Sequence, residues 1–165
     1  MDLERLYREH SVQLLRYLQR LSGDPELAAD AVQETFMRLA NRPPEGGAVR
    51  AWLYRVGTNV VIDSSRTHRR RLRILAGSPE CAPLADPPLD PEAALDREER
   101  RREVQAALAA LSARDRTVLL MRAEGFAHRE IAATIGVSTQ SVGSITLRAM
   151  KKLAAALGVK GHPEP

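Results

Sequence analysis

His128–Met150 reads HREIAATIGVSTQSVGSITLRAM, and its spacing is that of a helix-turn-helix. With His128 as position 1, Ala132 falls at position 5, where two crossing helices leave no room for a large side chain. Gly136 falls at position 9, where the chain turns and only glycine takes a positive φ without steric cost. Ile131, Ile135, Val137, Val142 and Ile145 occupy the apolar slots between the two helices. Ser138 stands where the second helix needs an N-cap, its hydroxyl able to accept from a free backbone N–H. Ile and Ala at helical spacing alone fit any helical hairpin. Glycine, cap and apolar positions in one register point instead to a DNA-reading pair.

Composition agrees with a helical, polyanion-binding chain. Its 165 residues suffice for one ordinary domain or two small helical ones. Aromatics make up only 4%, and the formal charge is +4. Leu, Ala and Arg dominate, which favours helix over sheet. A sequence pI near 9.7 is a mild argument for a polyanionic partner. Cys81 is the single cysteine, so neither an internal disulfide nor a multi-cysteine zinc site can form. It is expected to be an ordinary exposed thiol in the tether. The four histidines are scattered and form no metal-ligand pair, and no cofactor motif occurs. The charged opening Met1-Asp2-Leu3-Glu4 is not that of a signal peptide, and no apolar run reaches membrane-spanning length. A cytoplasmic protein is expected.

The pattern predicts an all-α chain of two small helical domains joined by a Pro-rich linker. The first domain is expected at 1–73, the linker at 74–91, the second domain at 92–157 and a disordered tail at 158–165. Leu3, Leu6, Tyr7, Leu14, Tyr17, Leu18 and Leu21 form the apolar face of a first helix. Asp24 and Pro25 start a second as N-cap and first helical residue, with Ala28, Val32, Thr35, Phe36 and Leu39 on its buried side. The segment from Arg42 to Gly47 must be a loop. A third helix from Val49 to about Arg73 buries Leu53, Val56 and Val60. Five prolines between Ala76 and Pro91 preclude helix there. Periodicity returns with Ala94, Leu95, Val104, Leu108 and Leu111, and Ser112 to Asp115 resembles a capping box.

Two polar faces in the first domain carry the remaining signal. Asp30, Gln33, Glu34 and Met37 recur at i, i+3, i+4 and i+7, away from the buried stripe. A solvated acidic face would look the same, but an exposed Met beside carboxylates suits a protein contact better. On the third helix Arg55, Asn59, Asp63, Arg66 and Arg70 share one stripe that runs into the basic stretch around Arg69. Such arginine density gives salt-dependent affinity for phosphate, or else a solvated helix end. Asn59 offers an amide that can pair with a base edge. Trp52 and Tyr54 could each stack on an unpaired base; Trp52 is equally placed to pack in the core.

Asp30-Ala31-Val32-Gln33-Glu34-Thr35-Phe36 with Ala51-Trp52-Leu53-Tyr54-Arg55-Val56 resembles region 2 of bacterial sigma factors, and the helix-turn-helix resembles their region 4. The short tether, with nothing ahead of region 2, is similar to the extracytoplasmic-function subgroup of the sigma-70 family, which lacks regions 1.1 and 3. The resemblance implies a promoter-specificity subunit, not an enzyme, whose partners are core RNA polymerase (β′ clamp and β subunit), promoter DNA and an anti-sigma factor, without a small-molecule substrate. It implies that Asp30, Gln33, Glu34 and Met37 dock on the β′ clamp helices. It implies that the loop from Arg42 to Ala48 and the next helix, through Trp52, Arg55, Asn59, Asp63, Arg66, Arg69 and Arg70, capture a flipped −10 base and hold the promoter backbone. It further implies that Ser138, Thr139, Gln140, Ser141, Ser144 and Arg148 enter the −35 major groove, with Lys151 and Lys152 on phosphate, and that the linker threads the polymerase. The run Gln140 to Ile145 departs from the Arg- or Lys-rich start common in the family, so readout there rests on small polar groups, shape and water. The alternative is a stand-alone regulator with an N-terminal dimerisation domain, binding a palindrome as a dimer. A sigma-like module that only sequesters a partner is a third reading, opposed by the dense arginine.

Overall fold

The computed structural model describes the backbone of residues 2–72 and 91–158, and the side chains of these apart from 66, 68–72 and 91–93. The chain divides into two compact units, Met1–Pro83 and Leu84–Pro165. All regular structure among the described residues is helical. The expectations for most of the 74–91 linker, with Cys81, and for the tail past Gly158 lie outside the described residues.

The first unit is three helices, α1 (Leu3–Ser22), α2 (Pro25–Asn41) and α3 (Val49–Leu72). Asp2 caps α1 by accepting from the Arg5 N–H at 3.0 Å, and Gly23 ends it at φ 70°. Asp24 then accepts from the N–H groups of Glu26 and Leu27 at 2.9 and 3.1 Å, with Pro25 in the first turn of α2, as the sequence predicts. The segment expected as plain loop contains a 3-10 turn, Glu45–Gly47, with Gly46 and Gly47 at positive φ.

Leu14, Tyr17, Leu18 and Leu21 meet Ala28, Ala31, Val32, Phe36 and Leu39 in the core. Leu3 and Tyr7, expected on the same face, sit at its margin; Tyr7 lies edge-on to Phe36 at 4.9 Å. The α3 contribution differs from the expected Leu53, Val56 and Val60. Leu53, Tyr54, Gly57, Thr58 and Val61 are buried, while Val56 and Val60 are half-buried. The reason is polar: the Tyr17 and Thr58 hydroxyls bond at 2.7 Å, so two hydroxyl side chains enter the core satisfied. Tyr54 packs on Tyr17 with ring centroids 4.8 Å apart and carries the Arg50 guanidinium on its ring at 5.2 Å. It is a core residue, not a free stacking surface for a base.

The second unit contains α4 (Pro91–Ala109), α5 (Ala113–Ala123), α6 (His128–Ile135) and α7 (Thr139–Ala156). Helix α4 starts on Pro91, at the expected end of the linker; proline suits a first turn because its missing N–H would have no partner there. Leu108 and Leu111 are buried as expected, but Leu95 and Val104 are exposed. Arg116 donates from its guanidinium to the carbonyls of Leu108 and Leu111, closing the C-terminal end of α4. Ser112 caps α5 by accepting from the Asp115 N–H. The expected reciprocal arm of the capping box is replaced: the Asp115 carboxylate faces Lys152 on α7 at 2.6 Å.

Close packing in the first unit turns on one glycine. A Cβ on Gly57 would lie 3.1 Å from Leu18 Cδ1 and 3.4 Å from Thr35 Oγ1. Gly57→Val is expected to cost about 1–3 kcal/mol by overpacking, measured as a lower urea midpoint with an unchanged m-value.

Candidate nucleic-acid interface

The turn between α6 and α7 forms as the spacing predicts. Gly136 takes φ 70°, ψ 42°, and its N–H donates to the Ala132 carbonyl at 2.9 Å. Ser138 accepts from the Ser141 N–H at 3.3 Å, and the two hydroxyls meet at 2.7 Å. Both serines, expected as base contacts, thus serve the cap. Ile131, Ala132, Val142 and Ile145 are buried, with Ala149 and Phe126 completing the pocket; Ile135 and Val137 are half-buried at its edge.

With Val142, Ile145 and Ala149 facing inward, helical geometry puts Gln140, Gly143, Ser144, Leu147 and Lys151 on the opposite face. Thr139 and Arg148 are exposed on its flanks. Ser144 donates to the Ser141 carbonyl at 3.0 Å, and Arg148 reaches back to the Ser144 carbonyl at 3.4 Å. Gly143 and Leu147 share this face with the polar candidates, and helical spacing from Gln140 is the sequence signal that places them there. Lys152 turns aside to Asp115, which is buried, and so ties α7 to α5.

In the first unit, Asp30, Gln33, Glu34 and Met37 line one surface pocket of about 420 Å³ together with Val60 and Ser64 of α3. Glu34 is held by Arg38 one turn on, Nε to Oε1 2.7 Å. Met37 is 55% exposed, an apolar tip among polar groups. On α3, Arg55, Asn59 and Asp63 are exposed along one stripe and Trp52 is half-buried. Arg66, Arg69 and Arg70 fall on the last turns of α3, and their side chains lie outside what is described.

One helical unit with an acidic pocket and an exposed amide-and-arginine stripe, and another presenting a capped recognition helix, define a two-module transcription factor. Residues 6–71 match the Sigma-70 region 2 family and residues 101–153 match Sigma-70, region 4. The ECF RNA polymerase sigma factor SigL of Mycobacterium tuberculosis is 35% identical over 162 residues, covering 93% of this chain and 89% of its own length. The solved sigma factor RpoE of Bartonella quintana, in complex with the anti-sigma factor NepR, shares the fold with a TM-score of 0.74 at 24% identity, over 97% of this chain and 99% of its own. CnrH, solved with the cytosolic domain of CnrY, gives a TM-score of 0.66 at 26% identity, over 96% and 89%. The chain belongs to the extracytoplasmic-function sigma factors of the sigma-70 family. Its function is that of a promoter-specificity subunit of RNA polymerase. The stand-alone regulator is not favoured, because the first unit matches region 2.

The Asp115–Lys152 pair ties the second half of α7 to α5. Lys152→Ala leaves a buried carboxylate without its cation; with Lys152 itself 60% exposed, the expected loss is about 1–2 kcal/mol. The exposed neighbour sets the control: Lys151→Ala should stay within about 0.5 kcal/mol. Chemical denaturation of both variants checks the contrast.

Proposed function

We propose that the two units divide promoter recognition between them. Residues 1–73 dock on core polymerase and hold the −10 element, residues 92–157 read the −35 duplex, and residues 74–91 tether the two. The observation that carries the docking half is the convergence of Asp30, Gln33, Glu34 and Met37 on one pocket. An acidic surface beside an exposed methionine suits a basic, partly apolar partner; the β′ clamp helices are the partner that the family resemblance implies. Arg55, Asn59 and Asp63, with Arg66, Arg69 and Arg70 beyond them, form the −10 surface. The arginines contribute phosphate affinity, and Asn59 takes the edge of an extruded base. Trp52, half-buried on the same helix, adds an aromatic edge to that surface. Trapping an extruded base stabilises melted DNA, so recognition and strand opening become one event.

Thr139, Gln140, Ser144, Arg148 and Lys151 are the −35 contacts of α7, with Ser138 and Ser141 presenting its capped N-terminus. Two weak modules on a tether gain affinity by effective concentration only when their spacing is fixed. The polymerase fixes it, so the free chain binds promoter DNA poorly. The bond-making chemistry belongs to the polymerase. No described helix is long and apolar enough to cross a membrane, in keeping with a cytoplasmic site of action. RpoE was solved with NepR and CnrH with a domain of CnrY; on that likeness an anti-sigma partner is proposed here too.

Two substitutions test the division. Glu34→Lys reverses charge in the docking pocket and is expected to weaken core binding by about tenfold or more, with an unchanged circular dichroism spectrum. Unchanged affinity for core would remove the docking assignment. Asn59→Ala should keep core binding and lower permanganate reactivity of unpaired promoter thymines by roughly tenfold, the scale of one lost base-edge contact. Wild-type melting would remove the base-capture role.

A further inference from the structure

Gly143 has no explanation within the fold. It sits inside the 18-residue α7 and is not among the glycines with positive φ. Its backbone is one that any residue adopts, and glycine there costs about 1 kcal/mol relative to alanine. Nor does packing demand it: a Cβ would meet only His128 Cε1, at 4.0 Å, an ordinary contact. The contrast is Gly57, where Leu18 stands in the way. The space at Gly143 opens to solvent, on the outward face of the recognition helix, between Gln140 one turn before and Leu147 one turn after. Glycine at such a place lets a backbone come close to a ligand.

The chemistry around that space narrows what enters it. Thr139 to Leu147 contains no Lys or Arg, so the space beside Gly143 has no guanidinium or ammonium of the kind that pairs with guanine; Arg148 follows on the flank, its Nε on the Ser144 carbonyl. Gln140 carries the amide that pairs bidentately with adenine N6 and N7. Leu147 is 56% exposed, an aliphatic side chain on the outward face of α7. The apolar feature of the major groove is the thymine methyl.

We infer that Gly143 is a specificity-determining residue: its missing side chain lets α7 close onto the groove floor, where Gln140 takes an adenine edge and Leu147 covers a neighbouring thymine methyl. The inference rests on the placement of α7 in the −35 duplex. It accounts for a neutral first half of the recognition helix by contact at short range, the cations Arg148 and Lys151 following on its later turns.

The test uses core polymerase reconstituted with the full chain, and an upstream duplex selected from a randomised library. The selected element should contain A·T steps, and replacing one of its thymines by uracil, which removes only the methyl, should cost the wild type several-fold in affinity. Gly143→Ala should raise the melting temperature by a few degrees, lose about tenfold in affinity for the element, and lose the uracil effect. Leu147→Ala should lose the uracil effect with core binding intact. A selected element without A·T steps, a melting temperature that falls in Gly143→Ala, or a Gly143→Ala holoenzyme equal to wild type in affinity and uracil sensitivity would each overturn the inference. Scrambling the upstream duplex separates the two levels. A cost to wild type with no effect of Gly143→Ala refutes the inference alone, whereas no cost to wild type refutes the placement of α7 and the inference with it.

Discussion

The first unit depends on how closely α1 and α3 approach at Gly57. Without a side chain there, Leu18 fills the space against α3, and Thr35 of α2 borders it. Next to this contact the Tyr17 and Thr58 hydroxyls satisfy each other, and Tyr54 packs on Tyr17. Apolar contact sets the spacing of the helices; the buried hydroxyl pair sets their rotation, because a slipped register would strand polar atoms in the core. That rotation decides which residues of α3 face outward. It leaves Arg55, Asn59 and Asp63 along one exposed stripe, and it brings Val60 and Ser64 to the pocket of α2.

The second unit solves a similar problem with a turn and an ion pair. Gly136 reverses the chain in the left-handed region, and Ser138 caps the helix that follows. Val142, Ile145 and Ala149 seat α7 on the rest of the unit. Asp115, whose N–H binds the cap of α5, sends its carboxylate to Lys152. One residue thus starts one helix and anchors the far end of another. A buried carboxylate is tolerable here because its cation is at hydrogen-bond distance, and the pair holds the recognition helix to α5.

Much of this was legible in the chain because local rules act on single residues. Asp24, Pro25, Gly136 and Ser138 announced their turns and caps, and the apolar period of α2 gave its buried side. The resemblance of Asp30 to Phe36 and of Ala51 to Val56 to region 2 carried the family. What escaped was tertiary. The buried face of α3 was misplaced by a fraction of a turn because Tyr54 and Thr58 enter the core only through partners more than 35 residues away in sequence. That Lys152 pairs with Asp115 could not be read from the chain because the two lie on different helices. Leu95 and Val104 continue an apolar period, yet both are exposed. Gly143 and Leu147 went unnoticed since a search for polar contacts passes over a bare backbone and an aliphatic chain.

The account stands or falls on association with polymerase. The most direct measurement is binding of the purified chain to bacterial core RNA polymerase, scored together with transcription from genomic DNA. The account predicts a stable complex in which core initiates at discrete sites only when the chain is added, while the free chain binds the same DNA weakly. Failure to bind core, together with tight and specific binding of a palindromic duplex by a dimer of the free chain, would contradict it.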